Sequence, residues 1–68
     1  MIMRIKELRL ERGLDQYSLA SLMGVQQPVI SGWEKEIYLP RARQLPLLAR
    51  VLSCSIDELF TQEPEAAS

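Results

Sequence analysis

The chain has 68 residues with nine acidic and eight basic side chains, enough for one small domain with a formal net charge of −1. One cysteine and no histidine exclude a disulfide framework, the common zinc sites and the histidine-dependent nucleophile pairs, so we expect no metal, no cofactor and no enzyme. No apolar run approaches the roughly 20 residues that span a bilayer and the N-terminus lacks a signal-peptide pattern, so we expect a cytoplasmic protein without membrane contact or small-molecule ligand.

The charges are distributed unevenly along the chain. Residues 1–50 carry all eight basic groups against five acidic ones, a net of +3, whereas residues 51–68 carry four acidic groups and no basic one. This asymmetry permits a polyanionic partner without requiring one. Residues 61–68 have no apolar anchor, so we expect a disordered acidic tail there.

Two helices are predicted in the first third of the chain. Helix 1 covers about residues 2–12, where apolar residues recur at helical spacing, and Gly13 follows its end. Helix 2 covers about residues 16–23, with Asp15 as its N-cap and Gly24 as its stop.

Three further helices are predicted after this point. Helix 3 covers about residues 27–35 and tolerates Pro28 in its first turn, where backbone N–H groups have no intrahelical partner. Helix 4 begins near Leu45 with Pro46 at its first position, and a capping-box pattern starts a short helix 5 over residues 55–60. No segment shows the alternation typical of a strand, so the fold class is all-α with five helices.

The most informative segment is the pair formed by helices 2 and 3, which a very short turn connects. Ala20 lies where the two helices must approach closely, and Gly24 lies at the turn, where a positive φ is often required. Apolar side chains should hold the pair at a steep angle, so that helix 3 projects as a ridge that the DNA major groove can admit. These side chains are Leu19, Met23, Val25, Ile30 and Trp33.

An ordered set of motifs extends this pattern over about residues 2–60. The motifs are Ile5-Lys6-Glu7-Leu8-Arg9, Arg12-Gly13-Leu14-Asp15-Gln16, Leu19-Ala20-Ser21-Leu22-Met23-Gly24-Val25, Ile30-Ser31-Gly32-Trp33-Glu34, Pro40, Leu48-Ala49-Arg50-Val51-Leu52 and Ser55-Ile56-Asp57-Glu58-Leu59-Phe60. The set resembles the Xre family, the group of phage lambda-type repressors and Cro proteins. The resemblance implies a five-helix, lambda-repressor-like DNA-binding domain over residues 1–60. It also implies a transcriptional regulator, a repressor, that inserts helix 3 into the major groove of double-stranded operator DNA.

The resemblance further implies which residues contact DNA. Base contacts are expected from the exposed face of helix 3, first of all from Gln27, since a glutamine amide can pair with N6 and N7 of adenine. The full base-contacting set is Gln26, Gln27, Pro28, Ser31 and Gly32. Phosphate contacts are expected at the start of helix 2 and in the loop after helix 3, from Gln16, Lys35, Tyr38, Arg41 and Arg43. Arg9 and Glu34 match a partly buried ion pair with an architectural role.

Two departures from the family pattern change these expectations. Glu36 stands where many relatives have glycine, so helix 3 must end differently or strain a non-glycine residue. Pro28 and Gly32 replace longer polar side chains at positions that could contact bases. Direct base contacts should therefore be few, and DNA shape should carry more of the specificity.

A homodimer is expected because one recognition helix buries too little surface for useful operator affinity, whereas two half-sites one helical turn apart supply enough. The region of helix 5 offers the predicted dimer surface, formed by Leu47, Val51, Ile56, Leu59 and Phe60. Three alternatives stay open: a restriction–modification controller, an antitoxin, and a protein-interaction module that keeps the fold without binding DNA.

Overall fold

The structure, a computed structural model, describes residues 3–60, which form four α-helices: α1 (Ile5–Glu11), α2 (Gln16–Met23), α3 (Gln27–Glu34) and α4 (Leu45–Val51). Two single turns of 3-10 helix, Ala42–Gln44 and Asp57–Leu59, flank α4. The predicted disordered tail at 61–68 lies outside the described residues. In the described part of the chain, no helix has the length and apolar character needed to cross a membrane.

Local chemistry explains where α2 and α3 begin and end. Asp15 is extended, and its carboxylate accepts a hydrogen bond of 2.7 Å from the backbone N–H of Ser18, which satisfies one of the unpaired donors of the first turn. Gly24 ends α2 in the left-handed region at φ +72°, which glycine adopts without steric cost. Pro28 lies in the first turn of α3, where its missing N–H breaks no helical hydrogen bond.

The predicted fifth α-helix is reduced to the single 3-10 turn Asp57–Leu59. Its predicted capping box does form: the N–H of Ser55 donates to Glu58 Oε1 at 2.8 Å, and the N–H of Glu58 donates to Ser55 Oγ at 3.2 Å. The cap therefore starts a helical turn, but the chain leaves the helical conformation at Phe60, which is extended.

Backbone contacts with the N-terminal segment take the place of further helical turns. The N–H of Arg4 donates to the carbonyl of Leu59 at 2.6 Å, and Met3 and Phe60 form an isolated antiparallel bridge. We call Met3, Arg4, Leu59 and Phe60 the end clasp. The clasp turns the Leu59 side chain into the core, where none of it remains exposed.

The core is aliphatic with one aromatic side chain, Trp33. Helix α2 packs against α3 and α4, and α1 packs against α3. The buried apolar side chains are Ile5, Leu8, Leu19, Ala20, Met23, Ile30, Trp33, Leu48, Ala49, Leu52 and Leu59. One side of α3 thus faces the core through Ile30 and Trp33, and the other side is left for contacts outside the domain.

Candidate nucleic-acid interface

Helix α3, the predicted recognition helix, is held by α2 through a tight connection. Ala20 is buried, and its carbonyl accepts a 3.0 Å hydrogen bond from the N–H of Val25 just after the turn. The predicted base-contacting residues differ in exposure along α3. Gln26 and Pro28 are exposed, whereas Gln27 and Ser31 are half-buried.

A chain of polar side chains links the start of α3 to α1 through α2. Gln27 Nε2 donates to Gln16 Oε1 at 2.7 Å, and Gln16 Nε2 donates to Glu34 Oε1 at 3.0 Å. Glu34 accepts in addition from Arg9 Nε at 2.6 Å and from Arg9 Nη2 at 3.2 Å. Arg9 Nη1 donates to the carbonyl of Leu14 at 2.8 Å. The expected Arg9–Glu34 pair is thus one end of a larger network, which sequence reasoning did not find.

The direction of this network fixes the orientation of both amides. A guanidinium can only donate and an ionised carboxylate can only accept, so Arg9 and Glu34 set the direction. Gln16 must therefore turn its NH₂ group toward Glu34, which leaves its Oε1 to accept from Gln27. Gln27 in turn must place its NH₂ group toward Gln16, and its Oε1 is left pointing away.

The two glutamines keep unused hydrogen-bonding capacity. A glutamine amide has two N–H donors and an oxygen with two lone pairs. In the network, Gln27 uses one N–H and Gln16 uses one N–H and one lone pair. The free N–H and Oε1 of Gln27 are the donor and acceptor that bidentate pairing with adenine requires, and the free N–H of Gln16 can donate to a phosphate oxygen.

The expectation that Gly32 is exposed is wrong: Gly32 lies on the side of α3 away from Ile30 and Trp33, but it is buried there. The aromatic ring of Tyr38, in the loop after α3, covers it: a Cβ at position 32 would lie 2.5 Å from Tyr38 Oη and 2.7 Å from Tyr38 Cε1. The Tyr38 hydroxyl donates to the carbonyl of Pro28 at 3.2 Å, so the predicted phosphate contact would require this hydrogen bond to break. Sequence patterns gave no signal for this contact.

The basic side chains fall into two groups. One group has partners within the protein: Arg4 pairs with Glu7, Arg9 pairs with Glu34, and Arg12 donates to the carbonyls of Leu52 and Ser53 at the end of α4. The other group is exposed and makes no side-chain hydrogen bond or ion pair within residues 3–60. The predicted phosphate contacts Lys35, Arg41 and Arg43 belong to this group.

At the end of α3 the structure shows the second of the two expected alternatives, a strained backbone at the non-glycine residue Glu36. It adopts φ +62°, a left-handed conformation that costs a residue with a Cβ about 1 kcal/mol or more. In this conformation the N–H of Glu36 donates to the carbonyl of Trp33 and the N–H of Ile37 donates to that of Gly32, which closes the helix end. Glycine would fill the same role without the strain.

The predicted dimer surface is only partly exposed. Leu59 is wrong as an interface residue, because the end clasp turns its side chain into the core. Val51 and Phe60 are half-buried and pack against the core. The side chains that remain exposed are Leu47 at 40% and Ile56 at 41%. Burial raises the pKa of the Cys54 thiol above its ordinary value.

Comparisons with known proteins agree with this geometry. The helix-turn-helix family matches residues 5–59 of the chain. A relative described as an uncharacterized HTH-type transcriptional regulator, from Archaeoglobus fulgidus, is 37% identical over 62 residues, which cover 91% of this chain and 89% of the relative.

Several solved structures share the fold. The P22 c2 repressor in complex with a synthetic operator superposes with a TM-score of 0.83 at 31% identity, covering 93% of this chain and 98% of the repressor chain. The restriction-modification controller protein C.AhdI from Aeromonas hydrophila gives a TM-score of 0.77 at 33% identity, covering 84% and 83% of the two chains. The N-terminal DNA-binding domain of SinR from Bacillus subtilis gives 0.76 at 30% identity, covering 88% of each.

One similar structure is an enzyme, hydroxypropylphosphonic acid epoxidase from S. wedmorenis, and the match covers 90% of this chain but only 39% of that chain. This partial match shows a shared fold, whereas the relative that aligns over 89% of its own length is described as a transcriptional regulator. The predicted all-α fold and the resemblance to the Xre family are therefore confirmed. The chain belongs to the helix-turn-helix family of Xre-like transcriptional regulators.

Proposed function

We propose that this protein is a sequence-specific DNA-binding regulator, a repressor, which inserts α3 into the major groove of operator DNA as a homodimer. The observation that carries the proposal is the hydrogen-bonded chain from Gln27 through Gln16 and Glu34 to Arg9. It holds the amide at the start of α3 in one orientation before any DNA is bound. The likeness to a repressor solved with its operator supports the proposal, and we expect such a regulator in the cytoplasm.

Base contacts are proposed for the exposed start and outward face of α3. Gln27 is the principal residue, because its free N–H and Oε1 match N7 and N6 of adenine. Its orientation is fixed in advance, so little side-chain entropy is lost on binding. Gln26, Pro28 and Ser31 lie beside it and complete the proposed base-contacting surface.

Phosphate contacts are proposed on both sides of this surface. The free N–H of Gln16, at the start of α2, can donate to one phosphate. Lys35, Arg41 and Arg43 follow α3 and have no partner within residues 3–60, so their charges are available to further phosphates. Glu36 adds a negative charge in the same loop, which should keep non-specific binding weak.

A homodimer is proposed because one α3 contacts a single half-site, and operator affinity requires two. Leu47 and Ile56 are the exposed apolar side chains near the C-terminal end of the described chain, and Val51 and Phe60 border them. This surface is small, so we expect a weak dimer that forms mainly on DNA. Sedimentation at micromolar concentration with and without DNA tests this, and monomers in both cases would contradict it.

The central experiment is selection of bound sequences from random DNA duplexes with the wild type, Gln27→Ala and Gln16→Ala. We expect the wild type to enrich a pseudo-palindrome. Gln27→Ala should lose discrimination at one base pair of each half-site, by about 1–3 kcal/mol. Gln16→Ala should weaken binding to all sequences and also loosen that base pair, because Gln27 loses its partner. No enrichment by the wild type would contradict sequence-specific DNA binding and would favour the protein-interaction module.

Salt dependence separates phosphate contacts from solvent-exposed charges. The slope of log K against log salt should become shallower by about 0.9 for each phosphate contact that is removed. We expect this change for Lys35→Ala. Lys6→Ala is the control, because Lys6 is also exposed but lies on α1. Equal slopes for the two variants would remove Lys35 from the proposed interface.

A further inference from the structure

Tyr38 belongs to the loop after α3 but lies against the side of that helix. Its hydroxyl donates to the carbonyl of Pro28 at 3.2 Å, and the backbone N–H of the preceding residue, Ile37, donates to the carbonyl of Gly32 at 2.9 Å. The space that a side chain at position 32 would take is filled by the Tyr38 ring. Gly32 itself has no left-handed φ, so close approach of the ring, and not backbone conformation, accounts for the glycine.

The ring is part of the outward surface of α3. Pro28 and Gly32 are four residues apart, so they share one face of the helix. That face lies away from Ile30 and Trp33, which are buried in the core. Tyr38 covers Gly32 and still keeps 46% of its surface exposed. Loop and helix together therefore present one surface, to which the loop contributes the largest side chain.

The ring carbons of Tyr38 and the side chain of Pro28 bring apolar atoms to this surface. The Tyr38 hydroxyl is engaged with the Pro28 carbonyl, and the proline side chain has no polar atom. The Cζ, Oη and Cε1 atoms of Tyr38 lie against Gly32, which leaves the rest of the aromatic ring for contacts outside the domain. In the major groove, the apolar feature that distinguishes one base pair from another is the C5 methyl group of thymine.

We propose that Tyr38 substitutes from the loop for the side chain that Gly32 lacks and contacts the methyl group of a thymine in each operator half-site. This inference rests on the proposed insertion of α3 into the major groove. It adds a specificity-determining residue that lies outside the recognition helix. It also gives Gly32 a role, since any side chain there would displace the ring that makes the contact.

The test uses the full chain and the half-site obtained by selection with the wild type. Each invariant thymine is replaced in turn by deoxyuridine, which removes the methyl group and keeps the hydrogen-bonding edge. At one thymine we expect the wild-type Kd to rise by about fourfold for each half-site, the loss that corresponds to one buried methyl group. Tyr38→Ala should bind the thymine and deoxyuridine operators equally at that position.

Matched variants separate a contact from a structural effect. Tyr38→Phe keeps the ring and should keep the fourfold ratio. Ile37→Ala removes a neighbouring apolar side chain that is 70% exposed and should leave the ratio unchanged. Gly32→Ala displaces the ring without removing it and should reduce the ratio toward one. This variant provides the same test if Tyr38→Ala does not fold, as judged by circular dichroism.

The outcomes distinguish this inference from the function on which it rests. A wild type that selects a half-site without an invariant thymine overturns the thymine contact and leaves DNA recognition intact. The same holds if Tyr38→Ala keeps the wild-type ratio at every thymine. If the wild type selects no sequence, the proposed function fails and the Tyr38 contact fails with it.

Discussion

Replacement of Glu34 by alanine leaves the guanidinium of Arg9 buried without its counter-ion. The two side chains are only 8% and 4% exposed, and their closest atoms are 2.6 Å apart. Removing one partner of such a pair costs about 3–5 kcal/mol, because the remaining charge stays buried without compensation. A chain of 68 residues has a total free energy of unfolding of about 3–10 kcal/mol. Glu34→Ala should therefore lose at least about a third of its stability, and it will be largely unfolded if the total is near the lower limit.

The loss of unfolding free energy should be smaller when both charges, on Arg9 and on Glu34, are removed. In Arg9→Met combined with Glu34→Leu, no charge remains buried, and apolar side chains of similar length fill the space. We expect this double variant to be more stable than Glu34→Ala, although the carbonyl of Leu14 loses its donor. It should bind operator DNA weakly, because Gln16 has lost the acceptor that orients its amide.

Urea unfolding followed by the fluorescence of Trp33 measures these changes. Trp33 is the sole tryptophan of the chain and is 2% exposed, so unfolding transfers it to water. Glu7→Ala is the control, since it removes the exposed ion pair with Arg4, which water screens. Equal stability losses for Glu34→Ala and Glu7→Ala would refute the argument that burial makes the Arg9–Glu34 pair essential.

Two further substitutions test the strain at the end of α3 and the N-cap of α2. Glu36→Gly should raise the free energy of unfolding by about 1 kcal/mol, because glycine adopts φ +62° without steric cost. Urea unfolding measures this change, and an unchanged midpoint concentration of urea would contradict it. Hydrogen bonds from Ser18 lower the pKa of the Asp15 carboxyl group in the folded protein. The stability that ionised Asp15 contributes is therefore present above its ordinary pKa, and it is lost as the pH falls through the lowered pKa. Asp15→Asn keeps a capping oxygen that does not titrate, so its melting temperature should fall less than that of the wild type below about pH 4. Melting temperatures that change with pH in parallel for the two proteins would contradict a contribution from the titration of Asp15.

The helix-turn-helix could be predicted because its determinants are local. Asp15 and Gly24 mark the two ends of α2 by their side-chain chemistry alone, and both act within a few residues of their own position. Periodic apolar residues such as Ile30 and Trp33 identify the buried side of α3 in the same way. The family motifs then supplied the Arg9–Glu34 pair, which spacing alone does not reveal.

The contacts that could not be predicted depend on the path of a loop or a chain end. Tyr38 reaches Gly32 because Glu36 reverses the chain in a conformation that a glutamate seldom adopts. Leu59 is buried because backbone hydrogen bonds to the N-terminal segment replace the expected helix. Neither arrangement leaves a periodic pattern in the sequence, and the pattern around Leu59 fits an exposed helical face equally well.

The end clasp holds Met3 and Phe60, the first and last residues that the structure describes, next to each other. In this isolated bridge the two backbone segments are direct neighbours. A host protein could therefore accept this fold within one of its surface loops, since the flanking segments would not need to move apart. The order of the helices would stay unchanged in such a fusion, because the host chain would join this fold only at the end clasp.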